Sequence, residues 1–277
     1  MRGFVLFFFV PVLALAQGPG ALPGKKDMMH YVKLYSAADQ QVITSPAELP
    51  AFIGKLESKR DNFKREKSFV SYLFTKTHQK YLRHYTSYCS FSDLLNEGTY
   101  NCLTGTALYA LLLDHFNIEY RIIETNYHIF LVAETKEGSI LLEATDPANG
   151  FVDNDTEIQK RIATYRANIL QRPVASKTYY DFNFDLYNEV TLDQVLGLLY
   201  YNYAIVTYNK QELVPTISYL DKAATLYHSA RVEEFSRIVL LSVLESNLDK
   251  AVKENYVRKL QAIRKRQVDV VAHASVH

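Results

Sequence analysis

The sequence predicts an α+β protein in which helices precede a short antiparallel sheet and an all-helical region follows it. Three stretches carry that expectation. Apolar and polar residues alternate through YHIFLVAETKEGSILLEATDP, from Tyr127 to Pro147, as in a pair of half-buried strands. Apolar residues at helical spacing fill the segments before it, and they return from about Thr191 almost to the end. The chain has 277 residues, 48% hydrophobic and 22% charged, a composition that supports a well-packed core and excludes general disorder. A net charge of +1 lacks the basic excess of nucleic-acid binders. The nearest basic patch, VRKLQAIRKR ending at Arg266, reads as the solvated face of a terminal helix.

The chain opens MRGFVLFFFVPVLALAQGPG, with Arg2 before an apolar run from Phe4 to Ala16. That run is about half the length a bilayer-spanning helix needs. Ala14-Leu15-Ala16 resembles a cleavage signal, so residues 1–16 read as a signal peptide and the mature protein as secreted or periplasmic, starting at Gln17. An uncleaved anchor is the alternative. No cysteine follows the cleavage point to take a lipid, and no other run suggests a membrane span. Residues 17–44, beginning QGPGALPGKK, read as a flexible leader.

A domain over residues 45–155 starts with helices. Ser45-Pro46 with Glu48 signals the first. In the second, SFVSYLFTKTHQKYLRHY, Phe69, Leu73, Thr77 and Tyr81 share one face. His78 and His84 are six residues apart, which does not place them together as metal ligands. In GTYNCLTGTALYALLLDHF, Leu103, Ala107, Ala110, Leu111 and Leu113 continue with helical spacing and Asn101 can cap the helix. Cys102 therefore opens a helix, where unpaired N–H groups and the dipole favour a thiolate over a thiol.

The alternating stretch turns at Lys136-Glu137-Gly138. With a three-residue loop closed by Thr135 opposite Ser139, His128 and Asp146 become cross-strand partners, close enough for the carboxylate to fix the imidazole tautomer. Cys102, His128 and Asp146 then supply a nucleophile, a base and an orienting group.

The stretch from Gly98 to Pro147, 50 of the 277 residues, resembles the core of the transglutaminase-like superfamily, circularly rearranged relatives of papain-type thiol enzymes. In that pattern a cysteine opens a helix, a strand follows a short turn, a histidine stands on the next strand and an aspartate precedes a proline. Here those places hold Cys102, Asn117 to Arg121, His128 and Asp146-Pro147. The resemblance implies a papain-like fold and acyl transfer on peptide or side-chain amides through a thioester, and the residues of this chain give no sign of a cofactor or metal. Members often carry Trp two positions after the histidine; this chain has no Trp, and Phe130 stands there. Phe cannot donate a hydrogen bond, so the Cys102 N–H is the natural first donor to an oxyanion, with Tyr100 and Tyr127 as weaker candidates for a second.

Cys89 is the other cysteine, and in an oxidising compartment it could bridge to Cys102; free thiols fit the site pattern better. Asp153, Asp155 and Glu157 alternate after the Asp-Pro, but out of register for a calcium loop, and read as a turn with a helix cap. Residues 156–277 are expected to be helical. Leu199 to Arg231 resembles one tetratricopeptide unit, with Tyr200, Tyr203 and Ala204 facing Tyr219, Leu220, Ala223 and Ala224. The leading expectation is an exported cysteine peptidase, amidase or transglutaminase-type enzyme acting on a protein or peptide. The alternative is a catalytically silent fold that binds a protein partner through its C-terminal helices. A metal hydrolase built on His128 and Asp146 lacks further ligands.

Overall fold

The computed structural model describes residues 27–39, 42–45, 47–167 and 186–274. The segment read as a signal peptide, 1–16, and the start of the leader, 17–26, lie outside the described residues. Helices α1 (Met28–Ala37), α2 (Glu48–Arg60) and α3 (Glu66–Tyr81) lead in. Strand β1 (His84–Tyr85) and helix α4 (Phe91–Glu97) follow. Next come β2 (Thr99–Tyr100), parallel to β1, and α5 (Cys102–His115). Strands β3 (Glu119–Thr125), β4 (Ile129–Thr135), β5 (Gly138–Leu142) and β6 (Phe151–Val152) come next, then α6 (Asp155–Arg166) and β7 (Tyr187–Val190). Helices α7 (Leu192–Asn209), α8 (Leu213–Leu226), α9 (Ala230–Glu245) and α10 (Lys250–Ala274) complete the chain. The protein is α+β, and its main sheet is antiparallel with the order β6-β5-β4-β3-β7.

Helix α5 is apolar on every side and buried on every side, from Leu103 to Leu113. It packs on one face of the sheet, where Ile122, Ile129, Leu131, Ala133, Ile140 and Leu142 join its core. Side chains on the opposite face, among them Ile123, Phe130, Val132 and Leu141, pack with Ile158 of α6. The two cores follow from the period of a strand, which sends successive residues to opposite faces. Around α5 lie the helices the sequence predicts, and Phe69, Leu73, Thr77 and Tyr81 of α3 are all buried. A Cβ on Gly105 would stand 2.8 Å from that of Ala144, so the absence of a side chain there lets the first turn of α5 approach the end of β5 closely.

Two expectations about organisation are corrected. The stretch 17–44 is not flexible throughout, because it contains α1, whose Val32 and Tyr35 are buried and whose Tyr35 hydroxyl donates to the Leu192 carbonyl at 2.8 Å. The Gly and Pro signal ends before MMHYVKLYSA begins, and that helix owes its place to tertiary burial. The region 156–277 is not all-helical either. Strand β7 pairs with β3, and α6, which starts before residue 156, packs on the sheet, so the α+β unit runs through Val190.

The hairpin also differs from expectation. Thr135 pairs with Gly138, leaving Lys136 and Glu137 as a two-residue loop, and Gly138 has φ 116°. The tip is held by α3, whose Lys67 N–H donates to the Glu137 carboxylate at 3.0 Å. In return Lys136 N–H donates to Glu66 at 3.2 Å. This reciprocal cap settles a register that the loop sequence alone leaves open.

The C-terminal region is built as expected around a helical hairpin, α7 with α8, in which Tyr203, Ala204, Leu220, Ala223 and Ala224 are buried. Helices α9 and α10 add a second, sharing a core that includes Tyr201, Ile217, Phe235, Val239 and Leu260. No described helix is long and apolar enough to cross a membrane. Asn154 caps α6, in keeping with the turn-and-cap reading of the acidic stretch around it.

His78 is buried against Phe74, Tyr100 and Tyr109, and neither ring nitrogen has a hydrogen-bond partner. Burial lowers its pKa from the ordinary 6.5 to about 4, against the opposing pull of Asp146 and Glu143. Between those values the unfolded chain binds a proton that the folded chain refuses. This contribution to stability is therefore intact above pH 6.5 and lost as pH falls toward 4. Thermal denaturation across that range should show His78→Leu less acid-sensitive than the parent; an identical pH dependence would contradict the assignment.

Candidate active site

Cys102 is the first residue of α5, half-buried, with Asn101 as N-cap. The Asn101 carboxamide accepts from Thr104 N–H at 2.9 Å, and the Thr104 hydroxyl accepts from Asn101 N–H at 3.0 Å. This box satisfies the third amide of the helix, and Gly105 N–H bonds to the Asn101 carbonyl at 3.0 Å. The amides of Cys102 and Leu103 are the ones left at the helix start.

His128 stands just before β4, at the mouth of the tight β3–β4 turn. Thr125 N–H donates to the His128 carbonyl at 2.7 Å, and His128 N–H donates to the Thr125 hydroxyl at 3.2 Å. The turn is braced from two further elements. Leu186 N–H donates to the Asn126 side chain at 2.7 Å, and Arg231 Nη2 donates to the carbonyls of Thr125 and Asn126 at 2.7 and 2.9 Å. The His128 ring packs against Tyr165 of α6 and lies parallel to Phe130.

The structure places Cys102 and His128 at one cavity, but pairs His128 with Glu143 rather than Asp146. His128 Nε2 donates to Glu143 Oε2, and the ring shares the lining of one small cavity with Cys102. The changed register is the reason. Moving the pairing by one residue takes Asp146 out of line with His128 and puts Glu143 on the same face of the sheet as His128 and Phe130. Asp146 instead shapes the turn after β5, accepting from Asn149 N–H at 2.9 Å and standing 3.8 Å from Arg161. That turn brings Gly150 N–H to the Asp146 carbonyl, and Glu143 N–H to the Gly150 carbonyl. A Cβ on Gly150 would lie 2.2 Å from the Glu143 carbonyl oxygen, so glycine is required beside that residue.

Glu143 is 3% exposed. Its Oε1 accepts from the Thr145 amide at 2.9 Å and hydroxyl at 2.6 Å, and its Oε2 accepts from the Tyr165 hydroxyl at 3.3 Å. Burial opposes its charge, but the bonds from His128 and Thr145 outweigh burial and hold the carboxyl below its ordinary range. Burial likewise works against charge on His128, yet the bonds and charges of Cys102 and Glu143 raise its pKa to about 10. A raised histidine pKa contributes stability that is complete below 6.5 and lost as pH rises through 10.

Behind the turn, Glu124 is buried and receives the Tyr227 hydroxyl, while Arg231 Nε approaches its Oε1 to 3.0 Å as an ion pair without a well-aligned hydrogen bond. Burial pushes the Glu124 carboxyl up against the opposing effects of Arg231 and Tyr227. A cavity of about 60 Å³ joins these groups, and its lining includes Cys102, Leu103 and His128 together with Leu198, Asn202 and Arg231. Tyr127 also lines it, whereas Tyr100, the other tyrosine considered as a donor, packs against His78 and Tyr85. A wider hollow of about 660 Å³, with Asp114, Glu119 and Glu189 in its walls, contains none of Cys102, His128 or Glu143.

Cys89 is a free thiol, as is Cys102. It is buried with its sulfur 3.5 Å from the Thr104 hydroxyl, and burial pushes its pKa up to about 12. Among the described residues no group of three or more His, Cys, Asp or Glu side chains is arranged to hold a metal. No family model matches the chain, and no curated protein or solved structure matches it.

Sequence reasoning missed Glu143, Arg231 and Asn202. A carboxylate inside the apolar run ILLEA was a signal for the first; the other two are brought in by helices that no local pattern ties to Cys102.

Replacing Glu143 with Gln should bring the His128 pKa, followed by NMR titration, down from about 10 toward 6.5, while Asp146→Asn should leave it near the parent value. The reverse ranking would return the orienting role to Asp146. Arg231→Met leaves Glu124 buried without its cation and should lower stability by about 3–5 kcal/mol near neutral pH. In denaturant titrations the deficit should shrink as pH falls and Glu124 takes up a proton; a pH-independent loss would point to packing instead.

Proposed function

We propose that the protein is a cysteine acyl-transfer enzyme of transglutaminase-like type, exported, with Cys102 as nucleophile, His128 as acid and base, and Glu143 as the group that orients His128. The observation that carries the reading is the His128 ring bonded to a buried, fully bonded carboxylate and lining one cavity with Cys102, the first residue of a buried helix. The order of cysteine helix, strand and histidine strand supports the family comparison, with glutamate in the role expected of Asp146. The apolar amino terminus is the support for export.

The sulfur of Cys102 attacks the carbonyl carbon of an amide, and its proton rests on His128. As the C–N bond breaks, His128 gives that proton to the departing amine and a thioester remains. Water then adds to the thioester, losing a proton to His128, and the acid leaves as the proton returns to sulfur. Glu143 stays ionised throughout and stabilises the imidazolium. Hydrolysis of a peptide or side-chain amide is favoured over crosslinking, because water needs no second binding site and the cavity beside Cys102 is small.

Cys102 should react with iodoacetamide at neutral pH much faster than Cys89, whose buried thiol is held near pKa 12. His128→Ala should remove that advantage, and Cys102→Ala should abolish amide hydrolysis while the folded circular-dichroism spectrum persists. Equal, slow labelling of both cysteines would support the silent, partner-binding alternative.

A further inference from the structure

The cavity beside Cys102 contains one polar side chain whose purpose is not yet accounted for. Glu124 and Arg231 hold each other and the β3–β4 turn, His128 is bonded to Glu143, and Tyr127 has an interaction of its own. Asn202, half-buried on α7, faces the same small space and makes no side-chain hydrogen bond to any described residue. The first turn of α5 contributes Cys102 and Leu103 to the same lining, and the N-terminal capping box leaves their amides over.

We propose that Asn202 is a catalytic residue: its carboxamide N–H donates to the oxyanion formed when Cys102 attacks a carbonyl, opposite the backbone amides at the start of α5. The inference rests on the acyl-transfer reading above and assigns to that site the second donor that Phe130 cannot supply. A carboxamide suits the task because it is neutral at every working pH and leaves the His128 proton available for the leaving group. As sulfur bonds to the carbonyl carbon, the π pair moves onto oxygen, where the amide donors stabilise it; when the carbonyl re-forms, the leaving group departs with its bonding pair. Arg231 is already committed elsewhere through its Nη2, which is occupied by two carbonyls, and its Nε, which lies against Glu124. The helical C-terminal region is then part of the active site itself.

The test compares two reactions of Cys102 in the full chain. Acylation by p-nitrophenyl acetate passes through a tetrahedral oxyanion, whereas alkylation by iodoacetamide is a displacement at saturated carbon and does not. Asn202→Ala should slow acylation by about 10²-fold, followed as nitrophenolate release and acetyl-Cys102 by mass spectrometry. Its alkylation rate should match the parent. Asn202→Asp, which sets a carboxylate against the oxyanion, should acylate no faster than the alanine variant. Equal slowing of both reactions, or no slowing of acylation, would overturn the assignment of Asn202. A parent protein that is never acetylated at Cys102 would overturn the acyl-transfer reading, and this inference with it.

Discussion

A carboxylate buried as deeply as Glu143 must be bonded or neutralised, and the way its charge is satisfied organises this end of the molecule. One oxygen takes both donors of Thr145; the other takes His128 and Tyr165. Each donor comes from a different piece of structure: the turn after β5, the mouth of the β3–β4 hairpin, and α6. Satisfying one charge therefore fixes the relative placement of three elements. The imidazole is oriented as a by-product of that arrangement, and Cys102 meets it because Gly105 lets α5 settle against the end of β5.

A second buried charge does similar work between the sheet and the C-terminal helices. Arg231 reaches from the first turn of α9 to two carbonyls of the turn that carries His128, and Glu124 supplies its counter-ion from β3. Such a pair contributes little net stability, since desolvation offsets most of the attraction. Its value is in specifying geometry, because few other placements of α9 would satisfy both groups.

The parts of the site written in local sequence were legible. Asn101 and the apolar spacing after it gave the start of α5, and the alternation after Tyr127 gave a hairpin with His128 near its open end. The orienting residue was not legible because it depended on register, and register depended on α3. The hairpin tip bonds to residues about seventy positions earlier in the chain, a contact on which the turn sequence itself is silent. Shifting the ladder by one residue exchanged an aspartate for a glutamate. Helix α1 escaped notice for a related reason: a ten-residue helix is marginal by itself and forms because Tyr35 and Val32 have a core to enter. The positions of Arg231 and Asn202 could not be read at all, since adjacency between separate helices leaves no periodic trace.

The clamp from Arg231 to Thr125 and Asn126 joins residues more than a hundred positions apart. Contacts of that span form late, after loop-closure entropy has been met by the surrounding structure. A growing chain that has emerged through the turn after β5 already holds Cys102, His128 and Glu143, yet the turn bearing His128 lacks its brace from Arg231 and the helix that carries Asn202 has not been made. On the proposed reading, the order of synthesis leaves the site incomplete until the helix that carries Arg231 has been made, and proteolytic loss of that region returns the chain to the incomplete state.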